Sequence, residues 1–230
     1  MCGRFSIAIS PAALKKRFNA ELDKPLQPRY NAAPGQNLPV ILNRSPNKIQ
    51  LCRWGFIPHW AKDASKDYRL INARAETIIE NRIFRSAFRK QRCLVLADGF
   101  YEWQKTPLRK IPHRIVLQDE TPFAFAGIWS GWKDKNEHWI NSFSIITTKA
   151  NSLVAEIHDR MPVILQPQYE TNWLTIPPED AVNLLQSYPA NLMRAYAVSP
   201  RVNSTTNDDP ELIKPIKLKK EQVKRLDEFF

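Results

Sequence analysis

Arg92-Cys93-Leu94-Val95-Leu96-Ala97-Asp98-Gly99-Phe100-Tyr101-Glu102-Trp103 is the stretch on which the fold class turns. Aliphatic and aromatic residues run through it without a helical period, so it reads as β-structure. Comparable runs follow at residues 114–117, 123–132, 139–148, 163–165 and 195–198, and precede it at 38–42 and 49–56, with a turn over 43–48. Helical signals are fewer. Ser10 can cap a helix opened by Pro11, with Leu14 and Phe18 on one face. Residues 75–90 group Ile79, Ile83 and Ala87, with Phe84 and Phe88 beside them. Residues 178–186 read as a helix introduced by proline, and 25–39, with four prolines, as an extended loop. Many short strands and a few separate helices predict an α+β fold: one domain over 1–230, with a mainly antiparallel, partly barrel-like β-sheet flanked by those helices.

Composition narrows the function. Hydrophobic residues at 43% and charged residues at 25% of 230 are ordinary globular values, so disorder is not the default. Eighteen prolines against six glycines suggest stiff loops rather than a helical bundle. Lys and Arg number 34 against 23 Asp and Glu, a net charge of +11 that favours a polyanionic partner, foremost nucleic acid. The segment 214–230 is strongly basic until its last four residues and reads as a terminal helix or a frayed tail. The three cysteines, Cys2, Cys52 and Cys93, form no Cys-x-x-Cys or Cys/His cluster, so neither a metal nor a cofactor is expected. No apolar run is long enough to span a membrane, and the start lacks a basic region followed by an apolar stretch. The expectation is a soluble, cytoplasmic monomer in a reduced compartment, nucleoid-associated if prokaryotic.

Chemistry concentrates in four polar islands: Cys2-Gly3-Arg4, Asn72-Ala73-Arg74-Ala75-Glu76, residues 97–103 around Glu102, and Ile157-His158-Asp159-Arg160-Met161-Pro162. Cys2 follows Met1 and is small enough for aminopeptidase removal of that methionine. Processing leaves an α-amine and a thiol on adjacent carbons, with reference pKa values of about 7.7–8.0 and about 8.5. Cys2 and Arg4, Asn72 and Arg74, and His158 and Arg160 are each i,i+2 pairs. In extended chain, each pair points to one side and sets a reactive or orienting group beside a guanidinium suited to phosphate. Glu102, in an apolar-aromatic strand, should lose solvent and titrate high enough for acid–base work near neutrality.

These islands, with Arg29-Tyr30-Asn31-Ala32-Ala33-Pro34 and Arg53-Trp54-Gly55-Phe56-Ile57-Pro58, occur in an order and spacing that resembles the SRAP family, the abasic-site processing proteins. The resemblance runs from Cys2 to about Pro200. It implies the SRAP fold and a partner, single-stranded DNA carrying abasic sites. It further implies that Cys2, freed of Met1, captures the abasic-site aldehyde as a thiazolidine, with lyase and self-processing peptidase activity as accompaniments. By the same resemblance Asn72 positions the amine, Glu102 is the acid/base that opens the sugar and supports reversal, and His158 shuttles a proton. Arg4, Arg74, Arg160 and Arg82 fall at phosphate-contacting positions, and Trp54, Trp60 and Phe84 are candidates to stack on bases or wedge beside the lesion.

Two other readings stay open. Met-Cys-Gly also opens amino-terminal-nucleophile amidohydrolases, although the arginine pairs and the charge have no role there. A non-enzymatic single-stranded DNA-binding module explains charge and tryptophans but leaves Glu102 and His158 unused.

Overall fold

In the computed structural model, which describes residues 2–63 and 70–217, the stretch 92–103 is one run of chain shared by two sheets. The strands are β1 (Phe5–Ile7), β2 (Glu21–Leu22), β3 (Arg29–Ala32), β4 (Asn37–Leu42), β5 (Lys48–Trp54), β6 (Asn72–Arg74) and β7 (Arg92–Ala97). They continue as β8 (Gly99–Lys105), β9 (Lys110–Leu117), β10 (Phe123–Lys133), β11 (Trp139–Lys149), β12 (Arg160–Pro162), β13 (Ile164–Leu165) and β14 (Met193–Ala197). The helices are α1 (Pro11–Phe18), α2 (Arg85–Lys90), α3 (Ser152–Ala155), α4 (Glu170–Thr175) and α5 (Pro178–Ala181).

Strands β11, β10, β7, β4 and β5 pair in that order, and β5 returns to β11 in parallel through Ser142↔Arg53 and Phe143↔Trp54. That last pairing closes a five-stranded barrel and leaves none of its strands with two open edges. β2 extends β5, β6 and β12 extend β11, and β13 pairs with β10. The second sheet, in the order β14-β9-β8-β1-β3, is antiparallel throughout. Aromatic rings join the two layers. Phe5 of β1 lies with its centroid 5.0 Å from Trp54 and 5.7 Å from Phe125, which is itself 6.1 Å from Phe100. Tilted and edge-on contacts at these separations add attraction beyond the area buried.

The chain leaves the barrel at Ala97 and enters the second sheet at Gly99, so Asp98 marks the crossing. Its carboxylate is buried and accepts hydrogen bonds from Ser6 Oγ at 2.6 Å, the Ala8 amide at 2.6 Å and Arg114 Nη2 at 2.9 Å. Arg114, also buried, donates further to Ser6 Oγ and Tyr196 Oη. A Cβ on Gly99 would stand 2.7 Å from Arg114 Nε, so the guanidinium lies where a side chain at 99 would be. The crossing is thus pinned by a fully bonded ion pair tying β1, β8, β9 and β14 together.

Most of the expected elements are present with shifted ends. The helix at Pro11 starts with Ser10 Oγ accepting the Ala13 amide. The expected helix over 75–90 is instead two pieces, a 3-10 turn at Ala75–Thr77 and α2. Asn81 is the physical reason: its side chain accepts the Ile83 amide at 2.9 Å, a local turn that competes with helix. The helix at Pro178 keeps its start but passes into 3-10 geometry after Ala181. Helix α4 carried no recognisable start signal; Trp173 and Leu174 hold it by burial. Of the basic segment 214–230, residues 218–230 lie outside the described residues, and Ile216 bonds back to the Ala197 carbonyl. Among the described residues no helix is long and apolar enough to cross a membrane.

Asp98→Ala leaves the Arg114 charge buried and unpaired, and should cost about 3–5 kcal/mol of stability. Urea unfolding of the two proteins measures the difference.

Candidate active site

Both layers converge on the chain's second residue. In the β1–β8 pair, Phe5 faces Phe100 and Ser6 faces Gly99, and the Tyr101 amide donates to the Arg4 carbonyl at 2.9 Å. The same antiparallel register carried outward sets Glu102 across from Gly3, next to Cys2. From the barrel, β6 lies parallel to β11 with Asn72 at Ile145, and Asn72 Nδ2 donates to the Cys2 carbonyl at 2.8 Å. Asn72 Oδ1 is buried and, among the described residues, has no hydrogen-bond partner. It is an acceptor left over at the residue that grips Cys2.

Cys2 is fully buried, and its Sγ donates a long 3.8 Å bond to the Arg4 carbonyl. Burial, and then the Glu102 carboxylate, push the thiol well above its ordinary value, so the resting group is the thiol and not the thiolate. Glu102 is itself 3% exposed. Burial foremost, with the Asp159 charge adding to it, pushes its carboxyl up to about 7. Near neutrality it is therefore divided between donor and acceptor forms.

A cavity of about 360 Å³ opens beside these groups, lined by Glu102, Trp103, Lys105, Lys110, His158 and Asn203. His158 Nδ1 lies 3.0 Å from the Arg160 amide and 2.9 Å from an Asp159 carboxylate oxygen. One nitrogen cannot accept from the first and donate to the second at once. Burial holds the imidazole below its ordinary pKa, which favours the neutral ring. A neutral ring that accepts the amide at Nδ1 carries its proton on Nε2, whereas a protonated ring donates from Nδ1 to Asp159.

The arginines divide into two classes. Arg74 and Arg82 are exposed. Arg4 donates to Asn31 Oδ1 at 2.7 Å and to the Val202 carbonyl at 2.8 Å, with its guanidinium 5.9 Å from the Trp103 ring. Arg160 makes a two-pronged bond to Glu76, at 2.7 and 2.9 Å, and donates to the Thr147 carbonyl. Both stand close to the centre, but most of their donors already serve the fold.

The aromatic expectations need correction. Trp54 is wholly buried, stacked on Phe143 and donating to the Ile71 carbonyl at 3.0 Å, so it is a core residue with no face for a base. Phe84 is 6% exposed and packs edge-on against Phe56. Trp60 alone of the three is on the surface, 61% exposed. Trp103, Lys105, Lys110 and Asn203 were not singled out as site residues from the sequence. Their place in the cavity depends on hairpin register and on a loop about a hundred residues away, for which no local pattern exists. Among the described residues no group of three or more His, Cys, Asp or Glu could hold a metal.

Comparison with known proteins places these residues in context. A family model described as SOS response associated peptidase (SRAP) matches residues 1–205. The chain is 44% identical over 221 residues to the abasic site processing protein YoqW of Bacillus subtilis, covering 93% of this chain and 99% of that one. It is 31% identical over 227 residues to the abasic site processing protein YedK of Escherichia coli, covering 94% and 100%. Among solved structures, a protein from Bacteroides thetaiotaomicron superposes with a TM-score of 0.86 at 29% identity, covering 94% of this chain and all of the other.

A carboxyl whose folded pKa is raised binds its proton more tightly folded than unfolded. It favours the fold below its ordinary value of 4.5 and loses that contribution as pH rises through about 7. Glu102→Gln should remove this dependence. Urea midpoints of the wild type should fall relative to those of the variant between pH 4.5 and 7.

Proposed function

The chain belongs to the SRAP family, and we propose that it captures abasic sites in single-stranded DNA on Cys2 once Met1 has been removed. The observation that carries this reading is the pairing of buried Cys2 with a buried carboxyl, Glu102, that burial pushes up to about 7. The raised thiol favours an order of events. The neutral α-amine attacks the aldehyde C1′ of the ring-opened sugar, and the carbinolamine loses water to give a Schiff base. The Cys2 sulfur then adds to C1′, its proton passes through Glu102 to the nitrogen, and a five-membered thiazolidine closes. The balance is one aldehyde and one aminothiol giving one ring and one water.

Each neighbour has a part in this reading. Asn72 holds the Cys2 carbonyl through Nδ2, and in this reading its leftover Oδ1 accepts from the freed amine. Protonated Glu102 donates to the ring oxygen as the sugar opens, and the same carboxyl supplies the proton that reverses the link. Neutral His158 offers its Nε2 proton at the cavity wall. Arg74 and Arg82 present exposed charge to the phosphates, while Arg4 and Arg160 steady the walls and add positive potential.

The amidohydrolase reading fits less well, since a cysteine that attacks amides needs a lowered thiol pKa and burial raises this one. A simple binding module gives no role to the Glu102 carboxyl.

Processed protein mixed with single-stranded DNA bearing one abasic site should give a covalent complex on a denaturing gel, and Cys2→Ala none. Glu102→Gln should slow both formation and reversal; wild-type rates would remove its acid–base role. Arg74→Ala should weaken non-covalent binding to all sequences and lower the salt slope of log K by about 0.7, the share of one phosphate contact on a single strand.

A further inference from the structure

Beyond Glu102 and His158 the cavity runs out along the hairpin of β8 and β9, where Lys105 and Lys110 are direct cross-strand partners. Such partners hold their Cβ atoms about 4.5–5.5 Å apart, so two ammonium groups reach the oxygens of one phosphate. Arg109 adds a third charge in the turn between them, and Leu108 at the tip is 65% exposed. The turn is well tied. The Thr106 amide donates to the Arg109 carbonyl at 2.9 Å, and Thr106 Oγ1 bonds both the carbonyl and the amide of Arg109, at 2.7 and 3.1 Å. Gln104 Nε2 donates to the Glu156 carbonyl at 3.2 Å, fastening the hairpin to the segment that leads into His158.

Like charges directly opposite on paired strands repel. Among the described residues, Lys105, Arg109 and Lys110 form no ion pair, in a chain where Lys15, Lys133 and Lys214 each find a carboxylate. The Asp159 carboxylate lies 2.9 Å from His158 Nδ1 and, among the described residues, forms no ion pair with Lys105 or Lys110. Arg74 stands on β6, on the barrel side of Cys2, whereas the hairpin belongs to the second sheet. A strand laid across the centre therefore meets positive charge on both flanks.

We propose that the tip of the β8–β9 hairpin is a second phosphate-binding element, in which Lys105 and Lys110 hold the backbone phosphate next to the nucleotide seated in the Glu102–His158 cavity. The assignment rests on the abasic-site reading for the identity of that nucleotide. It concerns the strand on one side of the lesion, the side away from Arg74.

The test uses the full, Met1-processed chain and a single-stranded oligonucleotide with a stable tetrahydrofuran abasic analogue, which binds but cannot cross-link. Anisotropy titrations across a salt series compare the wild type with Lys105→Gln/Lys110→Gln and with a control that removes two exposed lysines elsewhere, Lys16→Gln/Lys48→Gln. The hairpin variant should flatten the salt slope of log K by about 0.7, the share of the one phosphate the two lysines hold on a single strand, and the control should not. The loss should appear with oligonucleotides extending to one side of the analogue and vanish with those extending to the other. An unchanged slope, an equal effect of the control, or equal loss on both sides overturns the proposal. Cross-linking of the wild type to a true abasic site is scored separately. Its absence alongside a flattened, one-sided slope sinks the capture chemistry and leaves the hairpin contact standing.

Discussion

The buried bond between Asp98 and Arg114 is the constraint on which the site depends. A chain that leaves a closed barrel and enters another sheet within one residue must break its ladder, and the freed polar groups need partners. Asp98 accepts from β1, from the Ala8 amide and from β9 at that point, while Arg114 reaches on to Tyr196 of β14. An ion pair out of water repays its desolvation only when its remaining hydrogen bonds are made, and here they are. With β1 fixed to β8 in this way, the residues just before β1 come to lie beside Glu102.

Burial raises both acids of the centre, with different consequences for each. Taking solvent from Cys2 suppresses the thiolate. Taking solvent from Glu102 moves a carboxyl from 4.5 to about 7, where it can both give and take a proton. Neither effect requires a special residue type. Both come from burial, Cys2 lying in the same core cluster as Phe5, Phe100 and Phe125.

The arginines show how a polar motif is shared between fold and function. The i,i+2 spacing suggested three equivalent guanidiniums beside the reacting groups. In the folded chain Arg4 is bound to Asn31, whose side-chain amide also holds the 202–207 loop, and Arg160 is forked onto Glu76. Arg74 remains exposed. Proximity in sequence carries no account of the competition for donors within the fold.

Local pattern was sufficient for the α+β class, for Ser10 and Pro11 at the first helix, for most strands, and for the desolvation of Glu102 in its aromatic strand. These follow from periodicity and from side-chain chemistry within a few residues, which the order of amino acids carries directly. Pattern failed where a side chain intervenes locally, as Asn81 does in breaking the 75–90 helix, and where burial depends on the far side of a layer, as for Trp54 and Phe84. The parallel closure of β5 onto β11, the Asp98–Arg114 bond, the meeting of Cys2 with Asn72, and the approach of Lys105, Lys110 and Asn203 to one cavity were decided by tertiary structure alone. Those contacts join residues separated by up to about a hundred positions, and their energies exist only once both layers have packed.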